Sequence, residues 1–472
     1  MRLQEAYSSE HFRQEAHRLV DQLADYLAAA QNQECETVIP YRTPEDNLRF
    51  WQENFENGVG DAADFFGEVI KKSTHLHHPR YMGHQVSPPL PMAAMAGMLT
   101  GLLNNGMAVY EMGLVSNPLE RILSEVLTSK IGFGKEASGL LTSGGTLANL
   151  TALLTARATQ TDVWENGHDE PLAVLVSEEA HYCIDRAART MGMGSGGIVK
   201  IPTNERFQMR TELLEDYYQK TVQSGRKVIA VVGSACSTST GAYDDLVAIA
   251  DFCKKHQLWF HVDGAHGGAV VFSERYKGLV NGIERADSVV IDWHKMLMTP
   301  ALATALLFKR NEDSFQTFHQ KAQYLWANQA SHEWYNSGKR TFECTKLMMS
   351  VKIYSILKMY GEEIFTENVE VLHGLAATFA TMITERKGFE LALIPESNIV
   401  CFRYVGEGRT GGEVQTLNAK IRQQLLEEGK FYIVQTTLRE KLYLRVSLMN
   451  PLTKESDLLA LLDDIEQMAK KL

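Results

Sequence analysis

Three short stretches carry residue types that could do chemistry together. Ile291-Asp292-Trp293-His294-Lys295 puts a lysine directly behind an apolar run, whereas most lysines sit on solvated faces. A lysine in a pocket can form a Schiff base with a carbonyl cofactor. His261-Val262-Asp263-Gly264-Ala265-His266-Gly267-Gly268 places Asp263 among small residues after a second apolar run. A carboxylate there could hold a protonated ring nitrogen; it also reads as a cap before a turn. Thr142-Ser143-Gly144-Gly145-Thr146 stands where a strand gives way to a helix. Glycines there let an anion approach the backbone, and the helix aims its N–H groups and positive dipole end at it. Ordinary N-capping accounts for the same residues.

Other patterns fail on context. Gly192, Gly194 and Gly197 have dinucleotide-loop spacing but follow a helical stretch rather than a strand,. His75, His77 and His78 lack a carboxylate or cysteine partner at ligand spacing, so no metal is expected there,. No GxxxxGK[ST] loop occurs, which argues against ordinary nucleotide hydrolysis,.

The elements that must position these residues are legible. Apolar or β-branched runs predict strands at Gly139–Thr142, Ala173–Ser177, Gly197–Ile201, Val228–Val232, Trp259–Val262, Ser288–Ile291 and Ala303–Phe308,. Helical patterns at Thr146–Arg157, Tyr182–Thr190, Arg210–Ser224 and Asp245–His256 alternate with them. This predicts an α/β fold with a mostly parallel central sheet covered by helices. Ligands then bind at the carboxyl ends of the strands, where all three motifs fall. The expected organisation is an N-terminal helical segment at 1–75, a large α/β domain at 76–385 and a small α+β domain at 386–472. In the last, strands are expected at Asn398–Tyr404, Phe431–Thr436 and Lys441–Ser447, with helices at Gly412–Glu428 and Glu455–Leu472.

Composition narrows the class. The chain has 472 residues, with 47 Lys+Arg against 58 Asp+Glu and a net charge of −11. This balance argues against general nucleic-acid binding. A chain that is 44% hydrophobic and 22% charged is ordinarily globular and long enough to bury a large core,. Cys35, Cys183, Cys236, Cys253, Cys344 and Cys401 are scattered, with no CxxC pair, which reads as reduced thiols in a cytoplasmic protein. The N-terminus lacks an apolar signal region. Met92–Leu103, the most apolar stretch, is too short to span a membrane,.

Taken together, the motifs resemble the group II pyridoxal-5′-phosphate-dependent amino-acid decarboxylases, which include the glutamate, cysteine-sulfinate, aromatic-amino-acid and 2,4-diaminobutyrate decarboxylases. The resemblance runs from His78-Pro79-Arg80-Tyr81 to Arg445–Pro451, with the motifs in the family's order. It implies a fold type I enzyme, a homodimer wrapped by its first ~60 residues, in which Lys295 binds the cofactor covalently. It further implies Asp263 at the pyridinium nitrogen, His181 stacked on the ring and Ala265 beneath it. Gly144, Gly145, Ser237 and His294 fall in the cofactor's binding set. Tyr324, in Gln323-Tyr324-Leu325, matches a mobile-loop tyrosine that delivers a proton. Arg445 matches an arginine that binds a substrate carboxylate. The sequence departs from the family pattern at Cys236-Ser237-Thr238, where Gly-Thr-Thr is common, and at His266, where relatives often carry an aromatic residue.

By the same resemblance, His84 and Gln85 occupy a region that is more aromatic in the aromatic-substrate branch, Asn105 falls in a stretch similar to the glutamate branch, and the three are expected to read the substrate side chain. The expected reaction is therefore α-decarboxylation of a small polar L-amino acid, acidic or diamino, to CO₂ and an amine. The competing readings are an aromatic-amino-acid decarboxylase, an aminotransferase or aldol-type lyase of the same fold, and a non-catalytic relative. The last is disfavoured because Lys295, Asp263 and His181 are all present.

Overall fold

Seven runs rich in Val, Ile, Leu and Ala become the strands β1 Ser138–Thr142, β2 Leu172–Ser177, β3 Ile198–Ile201, β4 Lys227–Ser234, β5 Trp259–Asp263, β6 Ser288–Asp292 and β7 Thr304–Phe308. Every residue of β1, β2, β6 and β7 is buried. Successive side chains point to opposite faces, so both faces of the sheet are covered. The strands join in the order β1-β7-β6-β5-β4-β2-β3. The structure, a computed structural model, describes residues 2–58, 60–167, 170–318 and 333–472.

Pairings β2–β3, β2–β4, β4–β5 and β5–β6 are parallel, while β7 runs antiparallel to both β1 and β6. The sheet is thus mostly parallel, with one reversed strand. The link from Asp292 to Thr304 is too short for the crossover of a dozen or more residues that a parallel partner needs. The reversal sets Asp292 directly opposite Thr304. The helix Gly145–Gln160 follows β1 and buries Ala148, Ala152 and Ala156 against strand residues such as Val174 and Val290. Their spacing of four puts them on one face, and their small size lets the helix lie close to the sheet. Ala152→Leu would overpack this face, at about 1–3 kcal/mol.

The chain forms two compact units. The larger comprises Val86–Gly374 and Pro395–Asn398 and holds the seven-stranded sheet. The smaller comprises Met1–Gln85, Leu375–Ile394 and Ile399–Leu472. Its sheet has four strands, β8 Phe389–Leu391, β9 Ile399–Tyr404, β10 Val434–Leu438 and β11 Lys441–Ser447, in the antiparallel order β10-β11-β9-β8. Phe402, Leu444 and Val446 pack on Ile421, Leu425, Leu461 and Ile465 of the helices Gly411–Glu428 and Glu455–Lys471. Among the described residues no helix is long and apolar enough to cross a membrane.

Candidate active site

The ends of the central strands converge. Ser234 of β4 pairs in register with Asp263 of β5, and β6 carries Asp292 beside them. With the turn into the helix Gly145–Gln160, they enclose a cavity of about 320 Å³, near the lower bound of the ~300–1,000 Å³ usual for small-molecule sites. Its walls contain Gly144, Gly145, His181, Ser237, Asp263, Ala265, His266, His294 and Lys295. All of the cofactor residues expected from the sequence are therefore brought to one place; His266 joins them.

Lys295 is recessed, with 21% of its side chain accessible, and its Nζ lies 3.0 Å from Asp292 Oδ2. Burial alone would lower its pKa; the Asp292 and then the Asp263 carboxylates overcome this and hold it above the ordinary lysine value,. Asp263 accepts the N–H of Ala265 at 3.2 Å, and Cys183 Sγ lies 4.0 Å from its other oxygen. The His181 Nδ1 accepts the Cys183 N–H at 3.2 Å, so its remaining proton is on Nε2,. Desolvation holds this imidazole below its ordinary pKa, against the pull of Asp263, and favours a neutral ring. His294 Nδ1 donates to the Ala303 carbonyl at 2.9 Å, leaving Nε2 3.7 Å from Asp292. Burial pushes the Cys236 thiol up to about 12 and raises Cys183 as well, so neither is a thiolate nucleophile.

The helix Gly145–Gln160 opens on the cavity without a side-chain cap. Its first N–H groups have no partner inside the helix and face the space at its positive end. Gly144 has φ 124° and ψ 157°, a region essentially open to glycine alone. A Cβ on Gly145 would lie 3.4 Å from Asp292 Oδ1 and 3.6 Å from the Ala265 methyl. Small residues therefore keep the cradle open.

Several cavity residues had no role in the sequence reading. Asn149 lies one turn after Gly145; its Nδ2 donates to the Gly145 carbonyl at 2.9 Å and its Oδ1 receives His261 Nε2 at 2.7 Å. His261 Nδ1 and Trp259 Nε1 both meet Ser288 Oγ, at 2.8 and 2.9 Å. This buried chain ties β5 and β6 to the first helical turn. The signal was an asparagine on an apolar helix face. Asp292 stood inside a quoted motif, but a strand-end Asp usually reads as a cap.

The substrate residues expected from the sequence are placed differently. Asn105 is exposed, and its Nδ2 donates to its neighbour's carbonyl, Leu103 O, at 2.9 Å; it does not line this cavity. His84, Gln85 and Arg445 belong to the smaller unit. There Arg445 is buried in β11, and His84 is held below its ordinary pKa by desolvation and by Arg445 and Arg422. Gln85 has a buried amide nitrogen with no partner among the described residues. Tyr324 lies outside the described residues.

The model of the "Pyridoxal-dependent decarboxylase conserved domain" matches residues 46–405. The chain belongs to this family. It is an amino-acid decarboxylase that uses pyridoxal 5′-phosphate. An aromatic-L-amino-acid decarboxylase from Bacillus atrophaeus is 26% identical, over 98% of this chain and 96% of its own. An acidic amino acid decarboxylase from Xenopus tropicalis is 28% identical, over 98% and 94%. The crystal structure of mouse CSAD superposes with a TM-score of 0.91 at 24% identity, over 98% of this chain and all of that one (100%), which shows the shared fold.

The residues present fit the cofactor. The uncapped helix end and Gly144 suit its phosphate, Ala265 leaves room for a flat ring, and Lys295 suits its carbonyl. Ser237, whose Oγ meets Thr240 Oγ1 at 2.8 Å, supplies a hydroxyl on the same wall.

Proposed function

We propose that this decarboxylase acts on a small polar L-amino acid, acidic or diamino, and releases the corresponding amine. The observation that supports this is the cavity wall. Ser143, Thr146, Asn149, Ser237 and Thr238 line it with the charged groups, and among the described residues its only rings are those of His181, His266 and His294. A bulky indole or phenol would find no phenyl, phenol or indole ring to pack against there.

Pyridoxal phosphate, when bound, supplies a protonated pyridine ring that takes up the electron pair left at the α-carbon as CO₂ departs. We assign Lys295 to its carbonyl carbon. Asp263 holds a proton at the pyridine nitrogen, because an opposite charge favours the cationic form. His181, neutral at its Nδ1, covers one ring face and Ala265 the other. Gly144, Gly145, Ser237 and His294 take the phosphate. Tyr324 is assigned as the proton donor to the α-carbon. Arg445 is assigned to a substrate carboxylate, which its guanidinium holds through two parallel hydrogen bonds. His84 and Gln85 are assigned to the substrate side chain.

The working form we propose is a homodimer in the cytoplasm, with residues 1–75 as a dimerisation segment. The helix Pro91–Leu103 exposes Met95, Met98, Leu99, Leu102 and Leu103, a run of apolar surface that a second copy would cover. All six cysteines are free, which suits a reducing compartment,.

A substrate panel tests the reading. CO₂ and amine release from glutamate, aspartate, cysteine sulfinate, 2,4-diaminobutyrate and the aromatic amino acids should place an acidic or diamino substrate first in kcat/KM. An aromatic substrate in first place would overturn the substrate class.

A further inference from the structure

Two carboxylates flank one lysine at the floor of the site, and their surroundings differ. Asp292 has a side chain only 2% accessible. A carboxylate so buried stays charged only when it is well partnered. Its partners are the Lys295 ammonium at 3.0 Å and the hydroxyl of Thr304, which donates to Oδ1; His294 Nε2 lies 3.7 Å away. Its own position is fixed, since its N–H donates to Ala265 O at 3.1 Å and it stands opposite Thr304 in the β6–β7 ladder. The lysine backbone is equally fixed. Its carbonyl accepts the Ser87 hydroxyl at 2.6 Å and the Met298 N–H at 3.1 Å. The freedom left at this point is in the lysine side chain, and its observed resting place is Asp292. Asp263 instead receives the Ala265 N–H and lies beside the Cys183 thiol.

We propose that Asp292 is a positioning residue for Lys295: it holds the ε-ammonium whenever that group is not covalently engaged, and takes up one of its protons when it attacks a carbonyl. The proposal rests on Lys295 being the residue that binds the cofactor. In the capture step one proton moves from Nζ to Asp292, and the freed lone pair forms the carbon–nitrogen bond. The carbonyl oxygen then leaves as water, with one proton returned by Asp292 and one from the nitrogen. No oxidant or further reactant is needed. The division of labour follows from geometry: Asp292 serves the lysine, which leaves Asp263 for the cofactor. The other titratable groups that face Lys295 are Asp263, His181, Cys183 and Cys236; Asp292 also faces His294.

The test uses full-length protein freed of cofactor, with an amine-reactive reagent read at the Lys295 peptide across a pH series. Asp292→Asn is nearly isosteric and removes only the charge. Its labelling midpoint should fall by about 1–3 pH units, the usual effect of losing an adjacent opposite charge. Its labelling at neutral pH should rise about tenfold or more. Thr304→Val perturbs the same strand end but leaves the carboxylate, and its midpoint should stay within about half a unit of wild type. Added pyridoxal phosphate, followed by absorbance, should be captured by Asp292→Asn with a pH profile displaced in the same sense. An unchanged midpoint in Asp292→Asn, or an equal shift in both variants, would overturn the proposal. Borohydride fixation on a residue other than Lys295 would instead overturn the reading on which it rests.

Discussion

The two ends of the central sheet can be compared directly, because both hold a cavity with buried charge. Beyond the amino ends of β5 and β6 lies a space of about 620 Å³, larger than the 320 Å³ of the active site. It is lined by Trp259, Phe260, Arg285, Asp287, Lys309 and Arg310. Four of its charged residues are already engaged. Arg285 pairs with Asp251 at 2.6 Å, Arg310 with Asp313 at 2.8 Å, Lys309 donates to Glu284 O at 3.2 Å, and Asp287 accepts the Phe260 N–H at 2.8 Å. The helix Gly145–Gln160 turns its positive end to the active site and its last residues, Thr159 and Gln160, to the far cavity. An anion is favoured at the first and disfavoured at the second. Volume does not mark the site; helix polarity and a recessed lysine between two carboxylates do.

The largest effect should come from removing the charge assigned to the cofactor ring. Asp263→Asn should lower kcat by about 10²–10³-fold, the scale of losing one preorganised electrostatic group, while the circular-dichroism spectrum of the fold stays unchanged. Next comes the cradle. Gly144→Ala forces a side chain into glycine-only backbone space, at about 1–3 kcal/mol. Equilibrium dialysis should show pyridoxal phosphate held about tenfold or more weakly.

Between the two ends, in the middle of β5, His261 is fully buried and its pKa is lowered to about 4 by desolvation. The unfolded chain therefore binds a proton that the folded chain refuses between about pH 6.5 and 4. Stability is present above this window and is lost as pH falls through it, by roughly 3 kcal/mol in all. His261→Gln should flatten the dependence of urea midpoint on pH there. The smallest effect belongs to the far cavity. Burial raises the pKa of Asp287, against the pull of Lys309 and Arg310, so its ionised form is disfavoured in the fold and costs stability as pH rises above the ordinary aspartate value. Asp287→Asn should leave kcat unchanged and shift stability at neutral pH by no more than about 1 kcal/mol, in the stabilising direction.

Much of this was legible in the sequence, for physical reasons. Strands buried on both faces must be continuously apolar, so β1 to β7 stand out within one residue of their observed bounds, except that β4 runs two residues further, to Ser234. Their ends carry the motifs, so Lys295, Asp263 and the Gly144–Gly145 turn stand out together, whereas Ser237 comes only from the family resemblance. The direction of β7 is not encoded in its composition, since Ala303–Phe308 would be equally apolar either way; only the short link before it carries that information. The three-residue β8 has too little length to show a period. Asn149 and Asp292 went without roles because one polar residue has a commonplace explanation until its partners are seen. Asn105 rests on the family resemblance alone, and its side chain bonds the last carbonyl of the helix that precedes it.

Every role proposed for this site depends on the lysine just beyond the carboxyl end of β6 holding the cofactor. Borohydride reduction of the purified enzyme, followed by peptide mapping, tests it most directly. The expected result is a single pyridoxyl-labelled peptide carrying Lys295. A label on Lys254 or Lys309 of the far cavity, or on any other lysine, would contradict it.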